Sequence, residues 1–395
     1  MERSAMDKQE KKRRTRQSSS ILTTTSSQGN NKSQQDPIPL DLIFEILSRL
    51  PAKSIVRYRS VSKLWCSITT TPEFINSYAY PCSCVLLTFR KGDMLYFFSS
   101  QLDQNNRNDP LSYVGSYQFT KSTNYGYFHW IDCVHGLIIL EGPTDFVICN
   151  PTMKRFFTLP EPQGSRYSRI FLGYDPIDGK YRALCFLRGS KIGILTLGAQ
   201  ESWRIVSNGS SRHDCTIGCM LCINGVIYYE AYIHVGVDPH RIMSFDFRSE
   251  KFHPIKLPEV SSCCLGSHMI VPYEGRLAIV NTRYFPSIDI WILKDGDRHE
   301  WMHKHFVLPL SEINPRRRKH LRFKGVSDAG VLIFAPPSLS ESFYILHFDP
   351  RRNSIRETFF EGIVGDEFRC RYGLGKDALF NMYVYPNHIE TLVSF

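Results

Sequence analysis

The strongest constraint on the fold is a change in the hydrophobic pattern near Pro81. Before this residue, apolar side chains recur every three or four positions, as they do in amphipathic helices. After it, short runs of Val, Ile, Leu, Phe and Tyr alternate with Gly, Pro, Asn and Asp, which is typical of many short strands joined by turns. We therefore predict an α+β organisation by domains, with a small all-α domain followed by a large all-β domain.

The β domain carries a repeat of nearly constant length. Seven glycines precede apolar runs at intervals of 43 to 55 residues: Gly92, Gly136, Gly179, Gly225, Gly275, Gly330 and Gly375. A four-stranded propeller blade takes about 40 to 50 residues. The segment from Pro81 to Phe395 is long enough for six or seven blades, so we predict a propeller-like domain. A decorated β-sandwich is the structural alternative.

A second recurring motif supports the first. The sequence from Asn150 to Pro160 resembles that from Asp246 to Pro258, and Asp349–Ile355 and Asp175–Tyr181 repeat its first half. In each, Asp, Asn or Pro favours a tight turn, and a following apolar or aromatic residue re-enters the sheet. We predict that each motif forms a hairpin within one blade.

The segment from residue 37 to 80 predicts three short helices. The first begins at Pro39 and ends before Pro51, the second runs through Lys53–Arg57, and Pro72 ends the third. Their apolar positions are Leu40, Ile43, Ile46 or Leu47, and Leu50 in the first helix, and Val61, Leu64, Trp65 and Ile68 in the third. The core that these helices can form is too small to be very stable alone.

Charge and composition restrict the class of partner. The net charge is +10, but residues 1–36 hold eight basic and four acidic residues, a net of +4. This segment is predicted to be a disordered basic tail, and its Lys11–Arg16 run is either a nuclear localisation signal or a solvated stretch. Because the remaining charge is spread thinly, the charge distribution does not predict a nucleic-acid partner. No apolar run is long enough to predict a membrane span.

Two motifs suggest metal chemistry, and we reject both. His299-Glu300-Trp301-Met302-His303 fits the H-E-x-x-H zinc-protease pattern, but its context predicts strands, on which the two histidines would be about 13 Å apart. Cys215, Cys219 and Cys222 fit no standard zinc spacing. The twelve cysteines are expected to be free thiols, with Cys84, Cys149 and Cys185 acting as small hydrophobic residues. We expect no metal, no cofactor and no catalytic residues.

The helical segment resembles an F-box. The matching elements are Pro39-Leu40, Glu45-Ile46-Leu47, Leu50-Pro51, Lys53-Ser54 and the pattern Arg59-x-Val61-x-Lys63-x-Trp65. The departures are Ile38 for a leading Leu and Ile55 for the Leu after Lys-Ser, and both keep the side chain apolar.

The rest of the chain resembles the F-box-associated domain of the large plant F-box family. The matching pieces are His135-Gly136-Leu137, Asn150-Pro151, Gly173-Tyr174-Asp175-Pro176 and the segments around Trp203 and Trp291. With the F-box, the resemblance covers residues 37 to 395, divided into an F-box at 37–80 and a β domain at 81–395.

This resemblance implies a non-catalytic substrate receptor of an SCF-type ubiquitin ligase. The F-box would bind a Skp-type adaptor, and through it a cullin–RING ligase, while the β domain would capture an unknown protein substrate in the nucleus or cytoplasm. The positions that match the motif, and that would supply contact or core, are Pro39, Leu40, Ile43, Ile46, Leu47, Leu50, Pro51, Ser54, Ile55, Val61 and Trp65. The alternative is a binding module for nucleic acid or a phosphorylated ligand without a ligase role.

Overall fold

A computed structural model of the chain describes residues 38–78, 84–101, 112–118, 131–141, 146–162, 169–187, 191–207, 213–233, 240–258, 268–294, 300–313, 321–338, 343–360, 365–375, 379 and 382–395. Asp41–Phe395 form one compact unit. The predicted basic tail, including Lys11–Arg16, lies outside the described residues.

Four helices precede the β domain: α1 Leu40–Ser48, α2 Ala52–Tyr58, α3 Lys63–Thr69 and α4 Pro72–Ser77. The first three confirm the predicted helices. The third helix ends before Pro72, as predicted, but a fourth helix, α4, was not predicted, and Pro72 begins it. Its missing N–H costs nothing at a first helical position, and the Thr71 Oγ1 accepts a hydrogen bond from the Phe74 N–H at 3.2 Å.

Twenty-four described strands form six four-stranded antiparallel sheets, the blades of a propeller. Blade 1 contains β1 Cys84–Lys91, β2 Met94–Gln101 and β3 Ser112–Gln118, and its fourth strand is β24, given below. Blade 2 contains β4 Ile131–Val134, β5 Leu137–Glu141, β6 Phe146–Asn150 and β7 Arg155–Thr158. Blade 3 contains β8 Arg169–Asp175, β9 Lys180–Leu187, β10 Lys191–Thr196 and β11 Arg204–Ser207.

Blade 4 contains β12 His213–Ile223, β13 Val226–Ile233, β14 His240–Asp246 and β15 Lys251–Ile255. Blade 5 contains β16 His268–Tyr273, β17 Arg276–Asn281, β18 Ser287–Leu293 and β19 Trp301–Val307. Blade 6 contains β20 Arg322–Val326, β21 Leu332–Ala335, β22 Tyr344–Asp349 and β23 Ser354–Phe359. A short helix, α5 Asp366–Arg371, precedes β24 Tyr383–His388, which completes blade 1 by pairing with β1.

The blades form a closed ring. The innermost strands are β24, β4, β8, β12, β16 and β20, and each contacts the innermost strands of the two neighbouring blades. Six apolar cores lie between neighbouring blades, one for each junction of the ring. This arrangement confirms a propeller of six blades and excludes the β-sandwich alternative.

Packing on both faces of a blade explains why its strands read as continuous apolar runs. Ile138 and Ile139 are neighbours on β5, and both are buried. Ile138 packs into the core shared by blades 1 and 2, whereas Ile139 packs into the core shared by blades 2 and 3. Successive side chains point to opposite faces of a strand, so a blade with two buried faces requires apolar residues at every position.

The glycine repeat is confirmed in five of its seven members. Gly136, Gly179, Gly225, Gly275 and Gly330 lie in the turns between the first and second strands of blades 2 to 6, all with positive φ. Gly92 lies instead between the second and third strands of blade 1, and Gly375 follows α5, so their assignment to the repeat is wrong. Blade 1 has no such turn because its first and second strands, β24 and β1, come from distant parts of the sequence.

The second motif is confirmed as a hairpin within one blade at all four of its sites, three of which occupy the same turn. Asn150, Asp246 and Asp349 end the third strands of their blades, and the residues after them turn back into the outer strands. Each of the three side-chain Oδ1 atoms accepts a backbone N–H two or three residues further on. Asp175–Tyr181 occupies a different turn, between the first and second strands of blade 3.

The antiparallel connections give the propeller two distinct faces. At the turn face, where Val134, Asp175 and Tyr273 end innermost strands, most described connections are tight turns. At the loop face, where Arg169, His213 and Arg322 begin innermost strands, the connections are longer in sequence and lie largely outside the described residues.

Candidate protein-interaction surface

Side-chain caps begin α3 and α4, and one half-buried arginine links the end of α2 to the end of α3. The Ser62 Oγ accepts a hydrogen bond from the Trp65 N–H at 3.3 Å, which fixes the start of α3. Arg59, after α2, donates from Nε to the Thr69 Oγ1 at 3.1 Å and from Nη2 to the Thr69 carbonyl at 2.6 Å. Desolvation lowers the pKa of Arg59, and these hydrogen bonds stabilise its partly buried guanidinium.

One apolar core joins these helices to the propeller. Its buried helical members are Leu47, Ala52, Ile55, Phe74 and Tyr78. Leu392, which follows β24, is buried in the same cluster, and Met153, from the turn between β6 and β7, packs against it. The helical core is therefore completed by residues of the β domain, which compensates for its small size.

The segment that supplies Leu392, residues 389–395, is itself held by hydrogen bonds, and we call it the closing segment. The Glu390 Oε2 accepts a hydrogen bond from the Ala52 N–H at 2.9 Å, at the start of α2. The Asn150 Nδ2 donates to the carbonyls of Thr391 at 2.9 Å and Val393 at 2.8 Å. The closing segment thus connects the helices with the turn face of blade 2.

The other side of the helices exposes large apolar side chains. The exposed fraction is 51% for Leu42 and 53% for Ile46, which lie one turn apart on α1. It is 72% for Val61, between α2 and α3, and 45% for Leu64, in the first turn of α3. Several such side chains on one short segment mark a surface that a protein partner can cover.

The structure separates the eleven motif residues into three groups. Exposed are Pro39, Leu40, Ile46 and Val61; half-buried are Ile43, Leu50, Pro51, Ser54 and Trp65; buried are Leu47 and Ile55. Of the two roles predicted for these positions, contact or core, Leu47 and Ile55 take the core role, since their exposed fractions are 1% and 0%. They are core residues because their side chains point towards Phe74 and Leu392.

Leu42 and Leu64 are exposed candidates absent from the predicted set. The helical period assigned one apolar face to α1, and Leu42 lies away from it. The available signal was composition, because six of the nine residues of α1 are apolar: Leu40, Leu42, Ile43, Phe44, Ile46 and Leu47. When a short helix has this many apolar residues, its apolar surface is wider than the strip that one core can cover.

Within the H-E-x-x-H segment, Trp301–His303 adopt the strand conformation that the sequence predicted. Trp301–Val307 is the outer strand β19, and His299 lies outside the described residues. The His303 Nε2 and the His305 Nδ1 lie 2.8 Å and 2.9 Å from the same Asp289 Oδ1. Within the described ranges, no group of three or more His, Cys, Asp or Glu residues is placed to hold a metal ion.

The buried thiols behave as the sequence predicted. Cys84, Cys149 and Cys185 are free and buried, and burial raises the pKa of Cys149 well above its usual value and that of Cys185 to about 12. The same cause raises the pKa of Cys222 to about 11. The side chains of Cys215 and Cys219 lie outside the described set. No helix in the described part of the chain is long and apolar enough to cross a membrane.

A short four-helix unit with an exposed apolar side, packed on the turn face of a six-bladed propeller, defines the class of protein. Two family models match the chain: the F-box domain over residues 37–77 and the F-box associated beta propeller domain over residues 84–389. The chain therefore belongs to the F-box proteins that carry an F-box-associated β-propeller domain.

Similar proteins come from Arabidopsis thaliana. The chain is 49% identical to F-box protein At5g18160 over 92% of its own length and 93% of that protein's. It is 45% identical to putative F-box protein At4g09190, with 91% and 96% of the two chains covered. It is 38% identical to putative F-box protein At1g47790, with 90% and 93% covered.

Proposed function

We propose that this protein is a non-catalytic substrate receptor of an SCF-type ubiquitin ligase. The F-box helices would bind a Skp-type adaptor, which links them to a cullin–RING ligase, and the propeller would capture a protein substrate. The ligase would then act by raising the effective concentration of substrate lysines near a charged ubiquitin thioester. We propose the nucleus or cytoplasm as its compartment.

The observation that carries this proposal is the one-sided burial of the F-box helices. One side of α1–α4 is covered by the closing segment and blade 2, while Leu42, Ile46, Val61 and Leu64 stay exposed on described surface. Exposed leucine and isoleucine side chains gain about 1.5–3 kcal/mol each when a partner buries them fully. The apolar residues of an F-box therefore suit the helices of an adaptor.

The position of the F-box supports separate surfaces for the adaptor and the substrate. Its contacts with the propeller involve Met153 and the closing segment, which lie at the turn face. The loop face is at the opposite ends of the strands, away from these contacts. Loops carried on a rigid scaffold are the usual location of binding residues.

The first test is capture of a purified Skp-type adaptor by the full-length protein. We expect wild type to capture it and the double variant Leu42→Asp/Ile46→Asp to lose at least about a hundredfold in affinity, because two apolar contacts are lost and two carboxylates are desolvated. Both positions are exposed, so the fold should persist, as circular dichroism would verify.

The matched control is Val307→Asp. Val307 has the same exposed fraction as Ile46, 53%, but lies at the end of β19 in blade 5. We expect this variant to capture the adaptor like wild type. Failure of folded wild type to capture the adaptor, or equal capture by the double variant, would contradict the proposed function.

A further inference from the structure

A β-bulge on an innermost strand sets Lys324 apart from its neighbours. On β20, Phe323 pairs with Phe334 and Gly325 pairs with Ile333, so Lys324 has no partner in the register. Gly325 adopts φ of +143°, a conformation that other residues rarely take. Bulges of this kind redirect a side chain and are over-represented next to functional sites.

The Lys324 ammonium is desolvated and has no anionic partner among the described residues. It donates one hydrogen bond, to the Met382 carbonyl at 3.0 Å, although an ammonium has three donors. Desolvation, followed by the positive charge of Arg322, lowers the pKa of Lys324 to about 8. No described carboxylate forms an ion pair with Lys324 or Arg322. Because desolvated charges are normally paired, this arrangement requires explanation.

Both residues lie at the loop face, where the innermost strands begin. The six innermost strands begin with Ile131, Arg169, His213, His268, Arg322 and Tyr383, none of which is acidic. Asp132 also lies on an innermost strand, but its electrostatic neighbours include Cys133, Cys222 and Tyr385 rather than Lys324. The two cations on β20 therefore face the side of the propeller away from the F-box without a compensating charge from Asp132.

We propose that Lys324 and Arg322 receive an anionic side chain, phosphorylated or carboxylic, from a peptide segment of the substrate. An ammonium supplies a point charge, and a guanidinium supplies a fork of donors that fits phosphate or carboxylate oxygens. The oxygens of an incoming anion would accept hydrogen bonds from the N–H donors of Lys324 that are not used by the Met382 carbonyl. The assignment of the peptide to a substrate rests on the proposed function. The anion site itself does not depend on that function.

The test measures retention of the full-length protein on immobilised peptides of degenerate sequence with a fixed central phosphoserine, glutamate or serine. We expect phosphoserine or glutamate peptides to retain more protein than serine peptides, and Lys324→Met to lower that retention roughly tenfold. Lys324→Arg should restore it, because the charge is kept. The matched control is Lys191→Met, which removes an exposed lysine at the start of β10, also on the loop face.

Three results would overturn the proposal. They are equal retention on all three peptide sets, retention by Lys324→Met at the wild-type level with an unchanged melting temperature, and tighter Lys324-dependent binding of a single-stranded oligonucleotide than of any peptide. Adaptor capture is measured on the same preparations. Lys324-dependent peptide retention without adaptor capture would support the anion site and contradict the ligase role, so the two failures are distinguishable.

Discussion

At the scale of the residue, the innermost strands hold a carboxyl group whose environment disfavours its charge. Desolvation raises the pKa of Asp132 to about 7 from its usual value near 3.8, and one hydrogen bond from the Cys133 N–H, at 2.8 Å, opposes this only in part. Because the folded-state pKa exceeds the unfolded one, the folded state binds the extra proton. Its contribution to stability is fully present below pH 3.8 and is lost as the pH rises through about 7.

Replacement of Asp132 by asparagine should therefore stabilise the protein at high pH. Asparagine keeps an oxygen that can accept the Cys133 N–H and removes the charge. We expect Asp132→Asn to raise the melting temperature by a few degrees at pH 8 and by less at pH 5. Thermal melts at both values test this. The control is Glu201→Gln, an exposed change of the same charge, and an equal gain at the two pH values would contradict the mechanism.

At the scale of the element, the turn between β4 and β5 is restricted by what packs on it. His135 and Gly136 form a two-residue turn with φ of +46° and +86°, the conformation that matches the twist of a hairpin. A Cβ atom on Gly136 would lie 2.6 Å from the Ile389 carbonyl oxygen and 2.9 Å from the Thr391 Cγ2. Glycine is required here both by the backbone and by the closing segment.

Two alanine substitutions separate these requirements. Gly275 occupies the equivalent turn of blade 5 with φ of +76°, but a Cβ atom there would meet nothing within 4 Å. We expect Gly275→Ala to cost about 1–2 kcal/mol in free energy of unfolding, from backbone strain alone. Gly136→Ala should cost more, because the closing segment must also move. Chemical denaturation measures both, and equal losses would show that the contact with the closing segment is unimportant.

The helices and strands show which features of the fold the sequence predicts and which it does not. The helices α1–α3, the repetition of blades and most turns follow from local spacing and turn residues, which act within a few positions, whereas the blade number was predicted only as six or seven. Blade 1 could not be delimited in this way, because β24 and β1 pair across the whole β domain. Whether Leu47 or Leu42 of α1 is buried also depends on distant residues, because Leu392 packs against the side of the helices that carries Leu47.

At the scale of the whole molecule, the F-box and the propeller share one core through Leu392. Its replacement by aspartate would place a carboxylate among Leu47, Ile55 and Phe74. We expect Leu392→Asp to destabilise the F-box by more than about 3 kcal/mol, the scale of losing a buried leucine, with the unpaired charge adding to it. Limited proteolysis should then cleave within residues 41–78 before it cleaves the blades, and adaptor capture should fall.

A substitution two residues away provides the control. Ser394 is exposed in the same closing segment, so Ser394→Asp adds the same charge without entering the core. We expect its proteolysis pattern to match that of wild type. Unchanged resistance of the F-box in Leu392→Asp would mean that the helices hold together without the propeller.

The closing segment also determines when the F-box core can be completed during synthesis. The ribosome releases the F-box sequence first and β24 with Leu392 only after the other strands of all six blades. Until then β1 has an unpaired edge, and the F-box lacks part of its core. Open strand edges invite aggregation. A nascent chain interrupted before residue 383 would therefore expose apolar surface to chaperones and proteases and would lack a complete F-box core.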